Sequence, residues 1–143
     1  MSGARQGGCL CGDVRFEIAP FDAKFGACHC KMCQRWSGSA LLALTVPADT
    51  LTVTGSECVS TYDSSDWADR SFCATCGAGL WYRVKDSDVH HIPIGLLDDT
   101  SGLTLRSEIF FDLKPDCFDL SATSKKFTQA ETLAMFAPQE NDK

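Results

Sequence analysis

No apolar run in this chain approaches the roughly 20 residues that a membrane-spanning helix needs. Residues 1–8, MSGARQGG, lack the apolar stretch of a secretory signal, so the expected setting is the cytoplasm, where thiols stay reduced. Cationic residues are scarce as well. Thirteen Lys and Arg stand against 19 Asp and Glu, for a formal net charge of −6 and a pI near 4.9. A phosphate-backbone partner needs a basic stripe, so the expectation is no nucleic acid and no membrane. Internal repeats and low-complexity tracts are absent too. With 44% hydrophobic residues, the 143-residue chain is expected to bury one core and form one domain, 1–143.

What the chain does have is thiol. It carries nine cysteines, an odd number that sits badly with a closed disulfide framework. Seven of them fall into three tight clusters: Cys9 and Cys11; Cys28, Cys30 and Cys33; Cys73 and Cys76. Thiols one or two residues apart reach disulfide geometry poorly, but they converge readily on one tetrahedral metal. The pattern therefore reads as zinc sites, two per chain.

The two outer pairs, Cys9 with Cys11 and Cys73 with Cys76, supply four thiolates. Four thiolates close a tetrahedral shell and leave no position for substrate, so this site is expected to be structural. The competing reading is four ordinary buried thiols. Cys28, Cys30 and Cys33 remain. Three ligands with one open position is the pattern of a reactive zinc, suited to activating a small thiol. His29 sits between two of these cysteines and could bind, although its side chain is expected to point away. Isolated Cys58 and Cys117 read as small buried hydrophobes, and either could complete the second site if the fold brought it close. Lys31 and Arg35 flank the triplet. They could bind substrate carboxylates, or they could be plain solvated charges. Trp36 reads as core packing.

The rest of the chain reads as short strands separated by turn signals, hence a mainly β fold with short helical turns. Val14, Phe16 and Ile18 alternate over residues 12–19 as in a half-buried strand. Residues 30–37 are expected to make one or two helical turns stopped by Gly38. Residues 40–46, 51–54, 70–73 and 80–84 are expected strands, the last two forming a zinc-ribbon hairpin around Cys76-Gly77. Residues 103–112 are rich in strand formers. Residues 128–136 read as an amphipathic helix with Leu133 and Phe136 three apart, ended by Pro138 and the polar tail 139–143.

Five segments in this order resemble the glutathione-dependent formaldehyde-activating enzyme family: residues 8–17 (GCLCGDVRFE), 28–39 (CHCKMCQRWSGS), 72–77 (FCATCG), 95–99 (GLLDD) and 108–116. The resemblance spans about residues 7–116. It implies a β-tent of layered antiparallel sheets, a zinc-binding core over about 7–118, and a C-terminal helix and tail over about 119–143. It implies structural zinc on Cys9, Cys11, Cys73 and Cys76, and catalytic zinc on Cys28, Cys30 and Cys33. Glutathione would be the co-substrate, with Lys31 and Arg35 as its candidate contacts, and a small aldehyde the partner. The named reaction joins glutathione and formaldehyde into S-(hydroxymethyl)glutathione, formally a carbon–sulfur lyase run in reverse. Two positions depart from the family's usual residues: Glu108 stands where a histidine is common, and Cys117 where a tryptophan is common. His90, His91, Asp98 and Asp99 are candidate bases by residue type alone. The competing readings are a non-catalytic zinc-stabilised binding module and a related enzyme acting on another thiol adduct.

Overall fold

The computed structural model describes residues 3–136; Pro138 and the tail 139–143 lie outside the described residues. Among the described residues eleven strands in two sheets and two α-helices form, so the mainly β expectation holds. No described helix is long and apolar enough to cross a membrane. The chain divides into two compact units. One takes residues up to Phe25 together with Leu42–Thr104; the other takes Gly26–Leu41 and the residues from Leu105 onward.

In the first unit, the alternation of Val14, Phe16 and Ile18 works as read. Their exposures are 0%, 3% and 1%, while Arg15 and Glu17 face outward. Strand β2 (Arg15–Ile18) is the middle of a three-stranded antiparallel sheet, between β1 (Arg5–Gly8) and β5 (Leu51–Thr54). The second sheet contributes β4 (Leu41–Pro47), β9 (Val89–Pro93), β8 (Gly79–Val84), β7 (Ala68–Cys73) and β6 (Val59–Asp63), hydrogen-bonded in that order. Phe16, Ile18, Leu44, Val46, Leu80, Trp81 and Ile92 meet in one core, and Cys9 and Cys73 are packed into it. Trp81 rests edge-on against His90, with ring centroids 5.4 Å apart.

One glycine is fixed by geometry. Gly55 follows β5 with φ +80°, and a Cβ there would run into the Asp13 carbonyl. Both the left-handed backbone and the overlap penalise any side chain. Gly55→Ala is therefore expected to lower stability by about 1–3 kcal/mol. Urea denaturation measures it; a variant as stable as the parent would show that the Asp13 turn yields freely.

Strand β3 (Lys24–Cys28), which belongs to the second unit from Gly26 onward, runs directly into the cysteine triplet, and helix α1 (Lys31–Ser37) leaves it. Cys30 is the N-cap of α1, its sulfur accepting from the Cys33 N–H at 3.3 Å. Gly38, at φ +87°, ends the helix and donates to Gln34 O, a left-handed glycine cap. Trp36 on this helix is half-buried. Strand β10 (Thr104–Ile109) pairs in parallel with the two-residue β11 (Lys125–Lys126).

Helix α2 (Gln129–Phe136) opens with a reciprocal cap. Glu131 N–H donates to Thr128 Oγ1 at 3.1 Å, and Thr128 N–H donates back to Glu131 Oε1 at 2.9 Å. The helix is where it was expected, but its packed face is different. Leu133 and Phe136 are 53% and 66% exposed, whereas Thr132 is buried. Thr132 docks the helix through its hydroxyl, which accepts from Phe110 N–H at 3.2 Å and donates to Thr128 O at 2.7 Å. A polar anchor sets this face, and hydrophobic periodicity cannot see one.

Candidate metal centres

The structure gathers the seven clustered cysteines into the two groups that their spacing suggests. Cys9, Cys11, Cys73 and Cys76 bring their sulfurs within 4.8 Å of one another, and so do Cys28, Cys30 and Cys33. The four-thiol group lies wholly in the first compact unit and the triplet wholly in the second.

Fold and sequence meet differently at each. In the four-thiol group, the turn after β1 carries Cys9 and Cys11, and the end of β7 carries Cys73. The tight turn from Cys73 to Gly77 then swings Cys76 back, with Gly77 N–H on Cys73 O at 2.8 Å and φ +79° at Gly77. Cys9 and Cys11 sulfurs are 3.6 Å apart, and Cys11 and Cys73 sulfurs 3.8 Å. Sulfurs around one tetrahedral zinc, each at about 2.3 Å from it, are about 3.8 Å apart. These separations match that edge and are far too long for a disulfide.

The protonation pattern fits a cation too. Burial opposes ionisation of Cys9, but the Val14 N–H at 3.3 Å and the neighbouring Cys11 and Cys73 thiols outweigh it and lower its pKa. Backbone N–H groups, first that of Ala78, hold Cys76 down to about 6. Cys11 is drawn downward by the Asp13 N–H, yet burial and its hydrogen bonds to Cys9, Cys76 and Cys73 push it up to about 12. The Cys76 sulfur is poised as a thiolate, while the Cys11 sulfur keeps its proton. A divalent cation would replace that proton.

The triplet is drier. Cys28, Cys30 and Cys33 are 7%, 8% and 1% exposed. Hydrogen bonds to Cys30 and Cys33, with burial added, drive the Cys28 thiol far above its ordinary pKa. Three sulfurs packed this closely cannot all ionise without a cation among them, so the donor set fits a thiophilic metal. No fourth His, Cys, Asp or Glu joins the group among the described residues.

His29 points away from the sulfurs, as expected. It is fully buried, with Nε2 2.8 Å from Glu108 Oε1. Lys31 and Arg35 are exposed on α1, one helical turn apart, with no hydrogen-bond or ion-pair partner among the described residues. Half-buried Cys58 and exposed Cys117 enter neither group.

The four candidate bases all lie in the first unit. Asp98 holds Arg15 through two bonds, at 3.1 and 2.5 Å. Arg5 donates to the carbonyls of Asp99 and Ser101 at 2.8 and 2.7 Å. The GLLDD segment thus fastens β1 and β2, which is a structural duty. His90 lies against Trp81. His91 stacks on Tyr82 at 4.3 Å. Burial first, then the His90 charge, lowers the His91 pKa to about 4.

The His91 shift has a signed consequence. Its folded pKa is below the unfolded one, so on acidification the unfolded chain takes up a proton first. The contribution is complete above pH about 6.5 and is lost as pH falls toward 4, up to about 3 kcal/mol. Denaturation midpoints at pH 7 and 4.5 test this against His91→Gln, which should flatten the difference. Equal pH dependence in parent and variant would refute it.

Sequence reasoning did not find the contact between His29 and Glu108. The two residues are 79 positions apart and no spacing rule joins them.

A mainly β chain that gathers four thiols in one place and three in another carries two cysteine clusters that could each hold a metal ion. Comparison with known proteins narrows this. The family described as glutathione-dependent formaldehyde-activating enzyme matches residues 4–112. The chain belongs to that family. It is 29% identical over 129 residues to an "uncharacterized lyase" of Schizosaccharomyces pombe, covering 90% of this chain and 93% of that protein. It is 34% identical over 129 residues to a Halomonas elongata protein that bears the family's name provisionally, covering 82% of this chain and 81% of the relative. A crystal structure of a Rhodobacter sphaeroides protein shares the fold, with TM-score 0.57 and 23% identity over 86% of this chain and 99% of that one. Family and relatives together make the chain an enzyme of the glutathione-related lyase type.

Proposed function

We propose that this chain is a zinc-dependent carbon–sulfur lyase that forms or cleaves a glutathione adduct of a small aldehyde, S-(hydroxymethyl)glutathione being the family's named case. The observation that carries the reading is the triplet: three buried thiols converge with no fourth protein ligand among the described residues. Cys28, Cys30 and Cys33 would hold the catalytic zinc, and Cys9, Cys11, Cys73 and Cys76 the structural one, giving two zinc ions per chain. When bound at the triplet, zinc supplies a Lewis-acidic open position that keeps a small thiol ionised at neutral pH.

The chain's own groups would do the rest. Lys31 and Arg35, without an ion-pair partner among the described residues and one turn apart on the helix that bears Cys33, would offer two cations to the carboxylates of glutathione. The thiolate sulfur attacks the carbonyl carbon, a C–S bond forms, and the π pair moves to oxygen, which takes a proton. Cleavage is the reverse. The net charge of −6 suits a small-molecule partner and neither nucleic acid nor membrane, and the free thiols suit the cytoplasm.

Exchange NMR of glutathione with formaldehyde and a panel of small aldehydes tests this reading. The zinc-loaded protein is expected to speed adduct exchange with at least one aldehyde. No acceleration with any aldehyde, together with glutathione binding no different from that of Cys30→Ser, would favour a zinc-stabilised binding module. Elemental analysis should return two zinc per chain; a single zinc would defeat the two-site assignment.

A further inference from the structure

His29 is held by hydrogen bonds and ring contacts, none of them to a sulfur among the described residues. Its N–H donates to Ile109 O at 3.1 Å. Its carbonyl accepts from Gln34 Nε2 at 2.6 Å, and the same amide reaches Leu113 O at 3.1 Å. Its ring meets Glu108 Oε1 at 2.8 Å and lies between Phe111 and Phe118, with centroids 6.0 and 6.1 Å away. Glu108 is itself buried, and its other oxygen accepts from the Ser124 hydroxyl at 2.5 Å and sits 3.5 Å from Lys126 Nζ. Ser124 is also buried.

This is an expensive arrangement. A carboxylate and an imidazole removed from water gain little over an apolar pair of the same shape, unless something depends on their directionality. Burial alone would raise the Glu108 pKa; the bonds from Ser124 and His29 and the Lys126 charge outweigh it and hold it below the usual carboxylate value. With Glu108 accepting, His29 donates from Nε2, and Nδ1 makes no hydrogen bond among the described residues. Directed bonds of this kind do for a turn what packing cannot: they fix its rotation. The turn in question is the one-residue link between Cys28 and Cys30.

We propose that Glu108 and His29 form a positioning strut that sets the angle between the Cys28 and Cys30 sulfurs, and hence the geometry of the metal that the triplet would hold. The inference rests on the reading of the triplet as a metal site. Ser124 and Lys126 orient the carboxylate, and Gln34 braces the same peptide from α1. Outer-shell partners that orient ligands typically cost about 10- to 100-fold in metal affinity when removed.

The test uses cobalt(II) as a spectroscopic probe in the full chain, followed by stepwise removal with a chelator. Cys28→Ser identifies which release step belongs to the triplet. Glu108→Ala is expected to release the triplet's cobalt about tenfold more readily and to alter its thiolate-to-metal absorption. Release from the four-thiol group should stay unchanged and serves as the internal control for folding. Glu108→Gln, which keeps an acceptor for His29, should recover most of the loss. Unchanged release and spectrum in Glu108→Ala overturns the strut. Equal weakening of both groups also overturns it, because the role is then general stability. Parent protein that takes up no cobalt at the triplet overturns the metal reading as well.

Discussion

Cys73→Ser is expected to leave the chain unable to hold its fold at ordinary temperature. Cys73 is fully buried, joins the hydrophobic core and ends β7. Through the four-thiol group it ties that strand to the Cys9–Cys11 turn, whose Cys11 lies 62 positions earlier. Structural zinc supplies on the order of 10 kcal/mol to folding at neutral pH. A small domain's net stability is about 5–15 kcal/mol, so losing most of that contribution consumes the margin. The serine hydroxyl adds a second penalty, since it is a hard ligand among soft ones in a site sized for sulfur. Circular dichroism melts with parallel zinc analysis give the answer. A variant one zinc short that melts at the parent's temperature would show that the core holds unaided.

Cys30→Ser should do the opposite: remove activity and spare the fold. The triplet lies outside the core that includes Cys9 and Cys73. Cys30 also caps α1, and serine is among the best N-cap residues, so the helix start survives the change. What is lost is one of three sulfur donors, and with it the charge and softness that would hold zinc there. Turnover of the glutathione adduct is expected to fall by about a thousandfold or more, the range over which loss of a catalytic ion acts. Zinc content should drop from two to one, and the melting temperature should move by only a few degrees. Activity within tenfold of the parent would move the chemistry away from the triplet.

The two cysteine groups were legible before any coordinates, because cysteine spacing within each cluster is local. Cys28, Cys30 and Cys33 are close in sequence, and their convergence follows from a strand end, a turn and one helical turn. Pairing Cys9 and Cys11 with Cys73 and Cys76 needed only the count of four. The strand at Val14, Phe16 and Ile18 and the stop at Gly38 were readable for the same reason, since periodicity and a positive φ are properties of a few neighbouring residues.

What stayed hidden depends on partners distant in sequence. β1, with sequence RQGG, has no alternation to announce it and is a strand because β2 pairs with it. The packed face of α2 is set by Thr132 bonding Phe110 N–H, 22 positions away. Glu108 looked like a departure in a late strand. In the structure it is the hydrogen-bond partner of the residue between two of the triplet's thiols.

The three tryptophans make the protein its own optical instrument. Trp81 is packed in the core of the unit that carries four thiols, Trp36 rides on the helix that carries Cys33, and Trp67 is 48% exposed. With Trp67 changed to phenylalanine, two emitters remain, one in each compact unit. Removing either of the two in turn gives chains whose fluorescence follows a single unit. Loading and loss of metal at the two thiol groups could then be timed separately, without a dye or a label.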